Sequence, residues 1–264
     1  MIKVLARIFT AVVGIPVIIL LALEGGYPFF LLILSLALMG LYEYYWLTNL
    51  PQLLRHWGYL ISALLLITIN RQQFRYSWLV FAGGIILLLS AMLFGFDQYN
   101  FGQAGAALLG VCYIPLFLSC LLLIRSLPLG RRLTIMVFIL TWITDTLAFF
   151  VGSRFGRRRL MAKISPQKTW AGAWAGLAGS VTAAFWAAPY VDLEPTAAIF
   201  TGVTTGIAAV LGDLIESALK RLAGVKDSGT ILPGHGGILD RFDALLLVAP
   251  TAYFVLSWWH SRGG

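Results

Sequence analysis

Five of the chain's eleven carboxylate side chains fall within the 31 residues from Asp213 to Asp243, beside four of its nineteen basic ones. Asp213, Glu216, Ser217 and Lys220 stand at i, i+3, i+4 and i+7 and so share one face of a helix. Two carboxylates on an otherwise apolar face require a compensating cation. Beyond them come Lys220-Arg221, Lys226-Asp227-Ser228-Gly229, Pro233-Gly234-His235-Gly236-Gly237 and Leu239-Asp240-Arg241-Phe242-Asp243. Gly229, Gly234, Gly236 and Gly237 permit positive φ and a close backbone approach to a ligand. Glycines interleaved with Lys, Arg and Asp suit a metal-bound polyphosphate. Mg²⁺ takes one or two carboxylate oxygens and completes its shell with phosphate oxygens, while Lys and Arg neutralise the remaining charge. Singly, His235 reads as a turn histidine and Arg241 with Asp243 as a surface pair. Together, between two apolar stretches, they have no comparably simple structural explanation.

A second polar region runs from Asp145 to Lys168. An Asp inside an apolar span costs about 2.5–3.5 kcal/mol on insertion scales, so Asp145 should face a cavity, a cation or another helix. The arginines that follow it are explained largely by membrane topology. Lys168 is different, because it stands beside a Ser-Pro turn at the mouth of a helix rich in small residues, where it can meet a substrate.

The elements that must position these residues are membrane helices. Of 264 residues 59% are hydrophobic and 11% charged, and the mean hydropathy is +0.86. That composition nearly excludes a water-soluble domain. Residues 25–42, 76–96, 98–124, 169–191, 195–212 and 244–259 carry no Asp, Glu, Lys or Arg. Cutting at charges, Pro and Gly predicts nine spans, near 8–23, 27–47, 57–70, 77–95, 104–124, 133–152, 171–190, 196–215 and 244–260. The first follows Lys3 and Arg7 without a small-residue cleavage site and reads as a retained span. The seventh places Gly172 and Gly176 four apart, a spacing that lets helix backbones approach closely inside a bundle. The expected fold is an all-α polytopic membrane protein of about nine helices with its site in the C-terminal half. Residues 1–132 serve for anchoring and packing, and residues 133–264 for catalysis.

A net charge of +8 is the excess that basic loops facing anionic lipid produce, so no nucleic-acid partner is implied. With nine spans and the N-terminus inside, 13 of the 19 basic residues lie on the cytoplasmic side, together with loops 153–170 and 216–243. Cys112 and Cys120, eight residues apart in one helix and so about 12 Å from each other, cannot bridge.

The run Ser217-x-x-Lys220-Arg221-x4-Lys226-Asp227-x-Gly229-x3-Pro233-x-His235-Gly236-Gly237-x-x-Asp240-Arg241-x-Asp243 closely resembles the signature of the phosphatidate cytidylyltransferases, or CDP-diacylglycerol synthases. Asp145-Thr146-x-Ala148 and Ser165-Pro166-x-Lys168-Thr169 resemble an upstream block of that family. The resemblance covers roughly residues 140–245. Gln167, Ala171 and Ala244 depart from the pattern, which leaves room for altered substrate preference.

The resemblance implies an enzyme of the inner or cytoplasmic membrane, with its active site facing the cytoplasm, that joins CTP to phosphatidate in the presence of Mg²⁺ and a second cation. Membrane lipid and a homodimer partner are expected with it. The metal would map onto Asp213 and Asp240. Lys220, Lys226, Asp227 and Arg241 complete the catalytic set, and Ser217, Arg221, Gly229, His235, Gly236, Gly237, Asp145 and Lys168 the substrate-binding set. A CTP-dependent lipid kinase would use a similar nucleotide site. A transporter of an anionic solute is disfavoured by the lack of paired, interrupted helices.

Overall fold

The computed structural model describes residues 2–95, 98–229, 231 and 236–263, with side chains from residue 12 to residue 261. Ten α-helices follow one another: α1 (Ile2–Glu24), α2 (Gly26–Leu47), α3 (Gln52–Asn70), α4 (Phe74–Phe94), α5 (Phe101–Val111), α6 (Phe117–Ser126), α7 (Gly130–Phe155), α8 (Trp170–Ala187), α9 (Pro195–Leu222) and α10 (Leu239–Gly263). Helices α5 and α6 are one span, Phe101–Ser126, joined by a π turn over Cys112–Leu116. Among the described residues, seven helices are long and apolar enough to cross a membrane: α2, α3, α4, the α5–α6 span, α7, α9 and α10. The apolar stretch Val12–Glu24 of α1 is shorter, and α8 lies outside the seven. The chain is therefore an all-α polytopic membrane protein.

Local chemistry sets the helix starts. Asn100 Oδ1 accepts from Gln103 N at 2.9 Å while Gln103 Oε1 accepts from Asn100 N at 3.0 Å, a reciprocal cap that begins α5. Thr169 Oγ1 accepts from Gly172 N at 3.2 Å and begins α8. Pro195 opens α9, where its missing N–H costs nothing.

Two expected loops are more ordered than the charge pattern suggests. Within 153–170, α7 runs on to Phe155, and β1 (Arg159–Met161) pairs antiparallel with β2 (Ser165–Thr169), registering Arg159 on Thr169 and Met161 on Ser165 across a bulge. Within 216–243, α9 continues to Leu222 and α10 has begun by Leu239. Charged side chains end an apolar stretch without ending a helix, since its backbone bonds are internal whichever solvent surrounds it. At 28 residues α9 rises about 42 Å, against about 30 Å for the hydrocarbon core, so its polar end can extend past the bilayer interior.

The C-terminal half is held together by close backbone contacts. A Cβ on Gly172 would lie 2.5 Å from Ala148 O, and one on Gly212 would lie 2.6 Å from Asp243 O. Helix α8 thus seats against α7, as the small-residue spacing predicts, and α9 seats against the first turn of α10. The N-terminal half packs through larger side chains, with Phe29, Ile33, Tyr44, Tyr45, Leu54 and Leu66 fully buried.

Candidate active site

Helix α7, the β1–β2 hairpin, α9 and the start of α10 bring their polar groups together. The predicted face of α9 forms, and Glu216 and Ser217 are buried on it. The hairpin delivers Lys168, whose Nζ lies 2.6 Å from Asp213 Oδ1. Asp145 on α7 has Asp213, Lys168 and Arg241 as its electrostatic neighbours. It is accessible and yet set among protein atoms.

Asp213 and Asp243 meet side chain to side chain, with Glu216 and Asp145 close by. Asp243 Oδ1 also accepts from its own helix, at Ala244 N, 2.8 Å away. Both oxygens of Glu216 are buried without a hydrogen-bond partner among the described residues, although Lys220 Nζ stands 2.6 Å from Oε2 as an ion pair. Asp243 thus gathers Asp213, Glu216 and Asp145 around it, with Lys168 and Arg241 on the Asp145 side and Lys220 and Asp240 beside Glu216.

Asp240, the expected second metal ligand beside Asp213, is engaged elsewhere. Its Oδ1 lies 2.6 Å from Lys220 Nζ, and its Oδ2 accepts from Ser228 N at 2.9 Å, Ser228 Oγ at 3.0 Å and Gly237 N at 2.8 Å. These bonds tie the loop after α9 to the head of α10 and leave Asp240 little capacity for a ligand. The carboxylate that faces Asp213 is that of Asp243. Asp240 and Asp243 are one helical turn apart, so the point at which α10 begins decides which of them turns toward α9.

The glycines also differ from expectation. A Cβ on Gly229 would sit 2.7 Å from Glu43 Oε1, and one on Gly236, at φ +81°, would sit 2.7 Å from Asp240 Oδ2. Gly237, which is buried, is hemmed in by Glu43 and Ser228. The glycines therefore make room for protein carboxylates.

Lys226 and Asp227 are exposed, and Arg241 is exposed near Asp145. Arg221 points away and braces backbone, donating from Nε to Ile164 O at 3.3 Å and from Nη1 to Val225 O at 3.1 Å. His235, with Pro233 and Gly234, lies outside the described residues.

Sequence reasoning missed Glu43. This side chain of α2 is 1% exposed; Oε1 accepts from Ile238 N at 2.8 Å, and Oε2 from Leu239 N at 2.9 Å and Ser228 Oγ at 3.0 Å. It caps α10 from the other half of the molecule, offering a full negative charge to the positive end of that helix. Glu43 is the only charged residue of α2, and the rule that singled out Asp145 applies to it equally.

Comparison with known proteins gives a consistent picture. The cytidylyltransferase family model matches residues 5–259. A phosphatidate cytidylyltransferase of Staphylococcus epidermidis is 35% identical over 258 residues, covering 95% of this chain and 98% of the relative. One of Bacillus subtilis is 34% identical over 267 residues, with 95% and 97% covered. One of Staphylococcus aureus is 34% identical over 258 residues, with 95% and 98% covered.

Proposed function

The chain belongs to the cytidylyltransferase family, and from that footing we propose that it transfers the cytidylyl group of CTP to phosphatidate, giving CDP-diacylglycerol and pyrophosphate. It is an integral membrane nucleotidyltransferase of phospholipid biosynthesis. The observation that carries the mechanism is the carboxylate cluster around Asp213, bordered by Lys168, Lys220 and Arg241.

The donor set fits Mg²⁺. Asp213 and Asp243 present hard oxygens side by side, and like charges so placed repel unless a cation or a proton lies between them. Among the described residues no three His, Cys, Asp or Glu side chains form a ligand set. Mg²⁺ asks for less, since one or two carboxylates suffice when phosphates and water supply the rest. We assign Asp213 and Asp243 as its holders, in place of Asp213 with Asp240. Glu216 and Asp145 remain for a second cation. When bound, Mg²⁺ neutralises phosphate charge in the transition state.

The protein's own work is electrostatic and positional. A phosphatidate phosphate oxygen forms a bond to the α-phosphorus of CTP, and the bond from that phosphorus to the pyrophosphate oxygen breaks. The attacking phosphate is already largely ionised near neutral pH, with a second pKa of about 6, so no strong base is needed. Lys168 and Arg241 flank the cluster, and exposed Lys226 meets the phosphates of CTP. The cytoplasm is the side from which CTP enters, in keeping with the 13 basic residues assigned there.

Incubating purified protein with CTP, phosphatidate and Mg²⁺ tests this directly. CDP-diacylglycerol and pyrophosphate should appear in equal amounts. Release of CDP with a phosphorylated lipid would identify a lipid kinase instead.

A further inference from the structure

Midway along the α5–α6 span, the helix widens into the π turn Cys112–Leu116, which contains Pro115. Proline has no N–H to give to the preceding turn, and single π turns inside α-helices occur frequently at functional sites. This one carries Tyr113, which is 7% exposed and has its ring set against Phe117, centroids 6.0 Å apart. The electrostatic neighbours of the Tyr113 side chain are Asp243, Glu216, Tyr44 and Asp213. A Cβ on Gly40 would lie 3.2 Å from both Ile114 and Leu239, so the turn that carries Tyr113 sits beside the head of α10, on the side of the carboxylate cluster. Tyr113 is 13 residues from Ser126, or about 20 Å of helix rise, so it approaches from the interior of the span.

The hydroxyl of Tyr113 is buried and has no hydrogen-bond partner among the described residues. Buried tyrosines normally find one, and an unsatisfied hydroxyl costs about 1–3 kcal/mol. Asp213 pairs with Lys168 and Asp243 with Asp213 and Ala244 N, and the Glu216 oxygens, although without a hydrogen-bond partner of their own, lie beyond hydrogen-bonding reach of the hydroxyl. A phenol can accept as well as donate, and beside anionic carboxylates it is the proton that lacks its partner. The acceptors that a site bordered by Lys168, Lys220 and Arg241 brings in are phosphate oxygens.

We propose that the Tyr113 hydroxyl donates a hydrogen bond to a phosphate oxygen of a substrate held at the carboxylate cluster, fixing that group from the side of the α5–α6 span. This rests on the nucleotidyl-transfer function above and adds a substrate-binding residue to it. CTP and phosphatidate both bring such oxygens, and the experiment separates them.

Tyr113→Phe keeps the ring and its packing and removes only the hydroxyl. Wild type and variant are unfolded thermally in detergent under three conditions: no addition, Mg²⁺ with CTP, and phosphatidate in mixed micelles. Steady-state kinetics vary each substrate in turn. The variant alone should unfold at or above the wild-type midpoint, because an unpartnered buried hydroxyl has been removed. One of the two ligand-induced rises should shrink, and kcat/KM for that substrate should fall about tenfold or more. The rise that shrinks names the phosphate concerned. A variant that is less stable without ligand, or that keeps both rises, overturns the proposal. Should wild type show neither a rise nor turnover, the nucleotidyl-transfer reading fails first and this proposal falls with it.

Discussion

Two groups of carboxylates lie along the α9–α10 junction, and the fold treats them in opposite ways. Glu43 and Asp240 have every side-chain oxygen occupied by Lys220, Ser228 or a backbone N–H from residues 228 to 239. Asp145, Asp213 and Glu216 gather around Asp243, with Lys168 and Lys220 as ion-pair partners and few hydrogen bonds to the backbone. In the first group the negative charge is used up in holding protein together. In the second it is left to act on something that arrives. Hydrogen-bond saturation therefore separates Asp240 from Asp243, three residues apart and identical in chemistry.

The largest effect expected from this contrast lies in the second group. Asp213→Asn and Asp243→Asn each keep shape and remove a charge, so each should lower pyrophosphate release per folded molecule by about a thousandfold or more, on the scale of other electrostatic stabilisers. Both variants should stay folded, since relief of like-charge repulsion offsets the lost contacts. Near-normal turnover by Asp243→Asn would return Asp240 to the metal site.

The first group should answer in stability before activity. Asp240→Ala leaves Lys220 with Glu216 alone and strands the N–H groups of Ser228 and Gly237, so about 3–5 kcal/mol of stability should be lost, read as a lower unfolding midpoint and poor accumulation. An Asp240→Ala protein that accumulates and unfolds like wild type would erase the contrast. Glu43→Gln is milder, because one oxygen still accepts while its amide faces a backbone N–H. A loss of about 1–3 kcal/mol is expected, with CTP kinetics impaired because Ser228 adjoins Lys226 and Asp227. Smallest is Thr169→Ala, which removes the α8 cap and should cost about 1 kcal/mol in the ligand-free unfolding midpoint.

What the sequence could tell follows the same division. The α9 face was legible because helical spacing is local, and the close seat of α8 because small residues four apart imply it. The pairing of Lys168 with Asp213 was not legible, since it depends on a hairpin hidden inside a basic loop. Of the signature glycines, Gly236 has the expected positive φ, and the atoms that Gly229, Gly236 and Gly237 make way for belong to Glu43, Ser228 and Asp240, which local spacing does not disclose. Glu43 itself carried a visible signal, a lone acid in an apolar helix, but its partners lie 185 to 196 residues away, beyond any periodicity.

That separation has a consequence for how the molecule is made. Ribosomes add about 5–20 residues each second, so the 195 residues between Glu43 and Ile238 take about 10–40 s to synthesise. Throughout that interval α2 must be held by the insertion machinery, or wait in the bilayer, with a carboxylate lacking its final partners. A carboxylate costs about 2.5–3.5 kcal/mol at the centre of a bilayer on insertion scales, and less near a helix end, where Glu43 stands. The arrival of the head of α10 discharges that debt, so a ribosome stalled before residue 238 leaves a chain whose second helix is still marked as incomplete. A quality-control protease that recognises polar groups in the membrane would have a built-in means of telling truncated copies from finished ones.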